Sequence, residues 1–370
     1  MSDAVIVDYQ RSPFTPARKG ALAGVRPDDL AAEVVKQLVI RNIAEPSDIE
    51  DLLLGCAFPE GEQGLNMARL VVFLAGLPQS VGGVTINRFC GSSMQAIHSA
   101  AGAIKMDAGE VFICAGVESM TRVPMMGFNP LPNPHLAAEL PGAYIGMGDT
   151  AENVARRFKV SRADQEAFAA GSHHKAAAAD FAAEIVAIAE TRTDGCIRPD
   201  TTRQILAGLN PAFQANGTVT AGTSSPLTDG AAAVLVCSDG YARRKGLKAL
   251  ATIRSIAVSG CDPDIMGMGP VGASRKALAR AGLEVKDIGI VEINEAFAAQ
   301  AIACLRELGF DETLVNLDGG AIALGHPLGA SGARITGKAA SLLRQHGKRY
   351  ALATQCIGGG QGIATVLEAC

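Results

Sequence analysis

The chain alternates between short apolar runs and longer stretches in which apolar residues recur every three or four positions. The short runs predict buried strands, among them residues 111–116, 230–237 and 350–354. The longer stretches predict helices, for example over residues 28–39 and 274–281. Strands that alternate with helices favour an α/β fold with mainly parallel sheets, and such folds place functional sites at the carboxyl ends of strands.

The second half of the chain repeats the element order of the first half. Residues 47–56 and 286–295 both enter a strand through an Asp-Ile step. In each half a strand, a glycine-led turn, a helix and another strand follow, over residues 84–116 and 314–354. We therefore expect two similar βα halves related by a pseudo-twofold axis, with loops from both halves close to that axis.

The region from Glu118 to Gly217 differs in character from the rest of the chain. Pro, Met and Asn are concentrated in residues 124–141, and polar helices are predicted over residues 151–160 and 164–179. We interpret this region as an insertion that covers a site. The expected domains are an N-terminal half of residues 1–117 and 218–248, an inserted loop domain of residues 118–217, and a C-terminal half of residues 249–370.

The stretch around Cys90 predicts a strand, a sharp turn and a helix. The alternating strand stops at the cysteine, and Gly91 opens an Ala-rich amphipathic run that ends near Met106. Backbone N–H groups and the dipole at a helix N-terminus favour a thiolate, so we expect the pKa of Cys90 to be lowered from its ordinary value of about 8.5. The alternative for a single cysteine is a buried structural residue.

Three loops of the second half add further chemistry. Asn294 ends a buried strand, His326 lies among five glycines of residues 319–332, and Cys356 with its Gly-Gly-Gly turn is expected to follow the last strand. Each has a simple alternative: a helix cap, a loop histidine and a tight turn. Together with Cys90 they provide a nucleophilic thiol, a base, a second thiol, an amide and free backbone N–H groups. This combination favours acyl transfer through a thioester.

Composition narrows the class of protein further. Of 370 residues 48% are hydrophobic and 19% charged, and the net charge of −4 argues against general binding to nucleic acid. The nine cysteines show no paired CxxC spacing, which favours a reducing compartment and disfavours zinc. The sequence predicts no signal peptide, no transit segment and no membrane span. We therefore expect a cytoplasmic protein.

Five motifs resemble those of the thiolase family, occur in the family's order and together cover essentially the whole chain. They are Asn87-Arg-Phe-Cys90-Gly-Ser-Ser-Met94, Thr220-Ala-Gly-Thr-Ser-Ser225, Asn294-Glu-Ala-Phe297, Gly320-Ala-Ile-Ala-Leu-Gly-His326-Pro327 and Cys356-Ile-Gly-Gly-Gly-Gln-Gly362. Within the family, residues 260–270 and 197–202 are similar to the bacterial 3-ketoacyl-CoA thiolases of fatty-acid β-oxidation. The resemblance implies the thiolase fold, with layers in the order α/β/α/β/α and an inserted loop domain.

The resemblance also implies catalytic roles for five residues. Cys90 would attack the 3-keto carbonyl of a 3-ketoacyl-CoA, and His326 would take the thiol proton. Cys356 would protonate the acetyl-CoA enolate and later deprotonate coenzyme A (CoA). Asn294, through a water, and His326 would stabilise the enolate oxygen, while the backbone N–H groups of Cys90 and Gly358 would face the tetrahedral oxyanion.

Further family properties concern ligands and partners. Arg198 and Ser225 would contact CoA, and Met147 and Phe297 would line the thioester pocket. CoA would act as a co-substrate, with no permanently bound cofactor and no metal. The resemblance further implies a homodimer or homotetramer and a possible hydratase–dehydrogenase partner subunit.

Two departures from the family pattern concern the substrate. The segments between Phe181 and Arg198 and before Gly146 are short, and Gly146 stands where short-chain enzymes carry a histidine. We expect 3-ketoacyl-CoAs longer than acetoacetyl-CoA to be preferred. The alternatives are a short-chain acetoacetyl-CoA thiolase working in the condensing direction and a catalytically silent acyl-CoA-binding subunit. A ketoacyl synthase or a cysteine hydrolase is disfavoured, because the second half supplies one histidine and one cysteine.

Overall fold

The computed structural model describes residues 2–43 and 45–370. Within them, ten strands form one sheet: β1 (Ala4–Arg11), β2 (Thr15–Pro16), β3 (Asp51–Gly55), β4 (Gly82–Ile86), β5 (Val111–Ser119), β6 (Thr228–Ser238), β7 (Ala251–Gly260), β8 (Ile290–Ile293), β9 (Tyr350–Ile357) and β10 (Gln361–Ala369). The α-helices are α1 (Pro27–Asn42), α2 (Met67–Leu74), α3 (Ser92–Lys105), α4 (Pro134–Glu139), α5 (Met147–Arg157), α6 (Arg162–Ala178), α7 (Arg203–Ala207), α8 (Asp239–Lys245), α9 (Gly269–Ala281), α10 (Ala298–Leu308), α11 (Ala321–Leu324) and α12 (Leu328–His346).

The sheet consists of two groups of strands that meet edge to edge. Its order is β4-β3-β5-β6-β1-β7-β10-β9-β8, with β2 paired to β6 beside this path. The first five strands belong to the N-terminal half, and the last four belong to the C-terminal half. β1 and β7 join the groups through two residue pairs, Val5 with Thr252 and Ile6 with Ala251. This short junction is what two similar halves in contact would produce.

The expectation of mainly parallel sheets is wrong, because both groups are mixed. β3 is parallel to β4 and β5, and β8 is parallel to β9, whereas the other pairings of the described strands are antiparallel. β9 returns into β10 through a turn in which Gly359 and Gly360 have φ angles of 80° and 84°. Strands joined by so short a turn pair antiparallel, and apolar runs alone do not reveal strand direction.

Three apolar clusters fill the space between the layers of the fold. The first lies between one face of the N-terminal strands and helices α1 and α2, and the second surrounds α3 and α12 between the two groups of strands. The third lies between the C-terminal strands and helices α9 and α10. Along β6, Ala233 and Leu235 face the first cluster, while Ala232 and Val234 face the second. The layers therefore have the expected order α/β/α/β/α.

The chain between β5 and β6 carries α4 to α7 and is anchored by a buried cation. Arg11 is fully buried at the end of β1 and forms ion pairs of 2.7 Å with both Glu184 and Asp194. These contacts hold the inserted segment against the N-terminal half. β5 continues to Ser119, and the domain limits expected for residues 118–217 stay a prediction.

The second half lacks one strand that the repeat would require. The strand expected near Leu314 is reduced to a single bridge between Val315 and Val291, after a short 3₁₀ turn at Glu312–Leu314. No helix in the described part of the chain has the length and apolar character needed to cross a membrane.

Candidate active site

Cys90 lies on a tight turn between β4 and α3, as the sequence predicts. The Ser92 hydroxyl closes this turn: it accepts a hydrogen bond from the Arg88 N–H at 2.9 Å and donates to the Phe89 carbonyl at 2.6 Å. Phe89 has a φ of 43°, a left-handed conformation that is uncommon for a bulky side chain. Backbone strain of this kind is concentrated at functional sites.

The thiol of Cys90 is protonated at neutral pH. Burial raises the pKa of Cys90 to about 11, although the backbone N–H groups of Gly358 and of Cys90 itself lower it. The expected lowering of the pKa is therefore wrong, because removal of the thiolate from water outweighs the helix N-terminus. Nucleophilic attack requires a base that takes the proton when the substrate is bound.

His326 is a buried, neutral imidazole that can serve as this base. Burial and the Arg334 guanidinium lower the pKa of His326 to about 3. Its Nε2 lies 3.3 Å from the Asn294 side-chain nitrogen, and its backbone N–H donates to the Thr228 hydroxyl at 3.1 Å. Asn294 and His326 are thus brought into direct contact, as expected for two groups that share one role.

Ser331 fixes the tautomer of His326 and was not singled out by the sequence analysis. Its Oγ lies 2.5 Å from Nδ1 of His326 and 3.0 Å from the Pro327 carbonyl oxygen. We assign the single hydroxyl proton of Ser331 to this carbonyl, which can only accept hydrogen bonds. The hydroxyl oxygen then accepts from Nδ1–H, which leaves the lone pair on Nε2. The signal in the sequence is a serine in the first turns of the helix that follows the histidine.

Asn294 has an acceptor atom free for a ligand or a water. The residue is fully buried, and its backbone N–H donates to the Thr354 carbonyl at 3.0 Å. Its Oδ1 has no hydrogen-bond partner among the described residues. A buried polar atom without a partner is costly, so this atom favours a role in binding.

Cys356 lies inside β9 and not after the last strand, which corrects the sequence-based placement. The reason is the additional strand β10, whose antiparallel pairing begins directly after the glycine turn. Burial, and next the Cys90 thiol, raise the pKa of Cys356 well above its ordinary value. Cys356 and Phe297 belong to one apolar cluster, and Met147 packs against this cluster, so the two predicted pocket residues share the surroundings of Cys356.

Gly358 connects the two cysteines. Its N–H faces the Cys90 sulfur, and a side chain at this position would begin 3.6 Å from the Met147 sulfur and 3.8 Å from the Phe89 ring. The backbone N–H groups of Cys90 and Gly358 therefore both lie beside the Cys90 sulfur. Two convergent N–H groups are the usual composition of an oxyanion hole.

The two predicted CoA contacts differ in position. The Ser225 N–H donates to the Ala296 carbonyl at 3.0 Å, which places Ser225 beside the pocket residue Phe297. Arg198 is exposed, and its backbone N–H donates to Nδ1 of His173 at 3.2 Å. The structure does not bring Arg198 into contact with the catalytic candidates described above. No group of three or more His, Cys, Asp or Glu side chains in residues 2–43 and 45–370 could hold a metal ion.

Comparison with family models decides the family. Residues 4–240 match the model of the thiolase N-terminal domain, and residues 247–369 match that of the thiolase C-terminal domain. The chain belongs to the thiolase family. Thiolases named in the comparison are similar over their whole length: the chain is 48% identical to the 3-ketoacyl-CoA thiolase of Bacillus subtilis (strain 168) and 50% identical to that of Shewanella denitrificans, covering 100% of each chain.

Solved thiolase structures share the same fold. Human mitochondrial 3-ketoacyl-CoA thiolase in complex with CoA superposes with a TM-score of 0.92 at 36% identity, over 100% of this thiolase and 98% of the human chain. The Bacillus anthracis acetyl-CoA acetyltransferase also gives 0.92, at 38% identity over 100% and 99% of the two chains. The thiolase fold predicted from the sequence is confirmed.

Proposed function

We propose that this thiolase cleaves 3-ketoacyl-CoA with CoA, giving acetyl-CoA and an acyl-CoA that is two carbons shorter, through an acyl-Cys90 intermediate. It is then an acetyl-CoA C-acyltransferase. The names of the bacterial relatives at 48% and 50% identity support this reaction. The observation that carries the proposal is that the N–H groups of Cys90 and Gly358 lie beside the Cys90 sulfur, in the vicinity of Cys356.

The first half-reaction breaks the carbon–carbon bond. Cys90 transfers its proton to Nε2 of His326 and attacks the 3-keto carbon, while the N–H groups of Cys90 and Gly358 stabilise the tetrahedral oxyanion. Collapse of this intermediate leaves the acyl group on Cys90 and releases the acetyl-CoA enolate. Asn294 and His326 stabilise the enolate oxygen, and the Cys356 thiol donates a proton to the enolate carbon.

The second half-reaction transfers the acyl group. The Cys356 thiolate accepts the thiol proton of an incoming CoA, whose sulfur attacks the thioester on Cys90. The acyl-CoA leaves, and His326 returns its proton to the Cys90 sulfur. All protons and charges are restored, and the proposed cycle requires no permanently bound cofactor or metal. The reverse condensation uses the same residues in the opposite order.

The inserted loop domain, residues 118–217, contributes to substrate binding in this proposal. Met147 and Phe297 line the thioester pocket, with Met147 packed against the apolar cluster that contains Cys356. Ser225 contacts CoA near the pocket, and the exposed guanidinium of Arg198 contacts CoA further out. We expect substrates longer than acetoacetyl-CoA, because Gly146 leaves space that a histidine would fill.

The edge of the sheet supports self-association. β4 is the last strand on its side, and on the adjacent α2 the side chains of Phe73 and Leu74 are 49% and 50% exposed. An unpaired edge beside exposed apolar residues favours contact with a second copy. We therefore propose a homodimer or homotetramer in the cytoplasm, able to join a hydratase–dehydrogenase subunit.

The experiment that tests the proposal follows the fate of the acyl group. Incubation with an acyl-CoA and mass spectrometry of peptides should place the acyl group on Cys90, and CoA should release it far faster than water does. Release by water alone would indicate a hydrolase, and a chain that never accepts the acyl group would be a silent binding subunit. Either result would contradict the proposal.

A further inference from the structure

We propose that Glu118 is a positioning residue that holds two parts of the fold in one geometry: the first-half segment after β3, near which Cys90 packs, and the start of α12, the second-half helix that follows His326. The inference rests on the proposed thiolase reaction and adds to it a residue that contacts neither substrate nor CoA. Glu118 lies near the end of β5 and is 1% exposed. Its carboxylate is therefore one of the buried ionisable groups that the reaction leaves without a role.

The carboxylate of Glu118 accepts five hydrogen bonds. Oε2 accepts from the backbone N–H of Ala57 at 2.8 Å and of Gly329 at 2.9 Å, and Oε1 accepts from the Phe58 N–H at 3.2 Å, the Gln63 side chain at 2.8 Å and the Cys56 thiol at 3.7 Å. All five partners act as donors, so the arrangement fits an ionised carboxylate although burial raises its pKa. The structure thus keeps a negative charge inside the protein at this point.

Two of these partners, Ala57 and Gly329, belong to different halves of the chain. Ala57 and Leu328 are members of a small apolar cluster against which Cys90 packs. Gly329, the neighbour of Leu328, belongs to the second half and follows His326 by three residues. One carboxylate therefore binds a first-half segment near Cys90 and the start of the helix that follows the base.

Glycine at position 329 makes this connection possible. A side chain at Gly329 would begin 2.4 Å from the Val117 carbonyl oxygen and 2.7 Å from that of Gly55. Real side-chain contacts are never this short, so only glycine lets the start of α12 approach β5 closely enough for its N–H to reach Glu118. The contact between the halves is built around this carboxylate.

Glu118 also acts on Cys90 through its charge. The N–H groups of Gly358 and Cys90 favour a thiolate at Cys90, whereas burial and the negative charge of the nearby Glu118 carboxylate disfavour it and raise the pKa of Cys90. The geometry and the charge together keep Cys90 protonated until the substrate is bound and His326 takes the proton.

The variant Glu118→Gln tests this role. The substitution keeps the shape of the side chain and removes its negative charge. It also places a side-chain NH₂ group, which is a donor, against backbone N–H groups that need an acceptor. We expect kcat for thiolysis to fall about 100-fold, with little change in KM for CoA. The pH midpoint for alkylation of Cys90 by iodoacetamide should move about one unit lower, since a negative neighbour is lost.

Glu184→Gln is the matched control for a loss of stability. Glu184 is a buried carboxylate that accepts from Arg11 at 2.7 Å and from Lys338 at 2.9 Å, away from Cys90. This variant should unfold more easily yet keep the wild-type alkylation midpoint and, per folded molecule, the wild-type kcat. If both variants shift the midpoint equally, or if neither does, Glu118 is only an anchor of the fold and the inference is overturned.

Gln63→Leu provides a second variant should Glu118→Gln fail to fold. It leaves the carboxylate in place and removes one of its donors, together with the acceptor of the Ser119 N–H and the donor to the Phe58 carbonyl. We expect kcat to fall about fivefold and the alkylation midpoint to move higher. An unchanged midpoint would overturn the inference. The alkylation assay needs no substrate, so the midpoints of the variants can be compared even if the wild-type protein shows no thiolysis. A lack of thiolysis in the wild type would refute the proposed function and not the inference about Glu118.

Discussion

The turn that carries the nucleophile and the loops that carry the proton-transfer groups differ in exposure. Phe89 is exposed and Cys90 half-buried, whereas Asn294, His326 and Cys356 are at most 4% exposed. A nucleophile must meet a substrate that arrives from solvent. Groups that move protons must keep fixed positions and neutral resting states, which dry surroundings enforce. The two halves of the fold thus have different roles: the N-terminal half carries the nucleophilic thiol, and the C-terminal half carries the groups that transfer protons.

The largest effect should come from removal of the nucleophile. Cys90→Ala should lower kcat by at least about 10⁴-fold, because no other group described here can form the acyl-enzyme. Steady-state thiolysis of a 3-ketoacyl-CoA measures this. Cys261→Ala, which removes another half-buried cysteine, is the control and should stay close to wild type. Substantial thiolysis by Cys90→Ala would show that Cys90 is not the nucleophile and would contradict the role given to the N-terminal half.

Loss of the buried amide should have the next largest effect. Asn294→Ala should reduce kcat by about 100-fold to 1,000-fold with little change in KM, because the enolate forms only during the reaction. Gln300→Met removes another fully buried amide, whose nitrogen lies 3.9 Å from the Cys304 sulfur, and should leave kcat nearly unchanged. Equal losses in both variants would indicate a general effect of core disruption.

The preference for substrate chain length tests the part of the site that is open to the substrate. The kcat/KM ratio of 3-ketooctanoyl-CoA to acetoacetyl-CoA should exceed one, and Gly146→His should lower it by up to about 100-fold, the value of four methylene groups in an apolar pocket. Gly146 has a φ of −64°, so a larger residue fits its backbone, and Gly146→Ala is the control. A wild-type ratio below one would contradict the preference for longer chains.

The smallest effect should come from the residue that orients the base. Ser331→Ala removes the acceptor for Nδ1–H of His326, and we expect kcat to fall about tenfold. Thr336→Val is the control on the same helix, because the Thr336 hydroxyl donates only to the Gly332 carbonyl, at 2.7 Å. A loss in Thr336→Val as large as that in Ser331→Ala would show that packing of α12, and not the tautomer, limits the rate.

Local sequence patterns predicted those parts of the site whose structure depends on residues close by along the chain. The turn at Cys90 and the buried strand before Asn294 follow from apolar runs that end at a polar or glycine-rich segment. The repeat of element order predicted the two halves, and the resemblance to the thiolase family implied the order of the layers. These features are local or periodic, which is why sequence reasoning reached them.

Properties that depend on the surroundings in three dimensions were not predicted. The pKa of Cys90 is raised because the pocket around it is dry, and that pocket is assembled from both halves. The antiparallel pairing of β10 and the position of Cys356 within β9 depend on strand direction, which apolar runs do not encode. The sequence did not reveal a role for the carboxylate of Glu118, because two of its hydrogen-bond partners lie about 60 and 210 residues away along the chain.

The division of tasks between the halves is tested most directly by Cys356→Ala. In this variant, acetyl-CoA should still acylate Cys90, as detected by mass spectrometry, but more slowly, because Cys356 no longer protonates the departing CoA thiolate. Exchange of the α-protons of acetyl-CoA with deuterated solvent should be lost, because the enolate then has no acid or base beside it. Acylation without exchange is the result that the account predicts. Exchange at the wild-type rate, or acylation that disappears together with exchange, would contradict it.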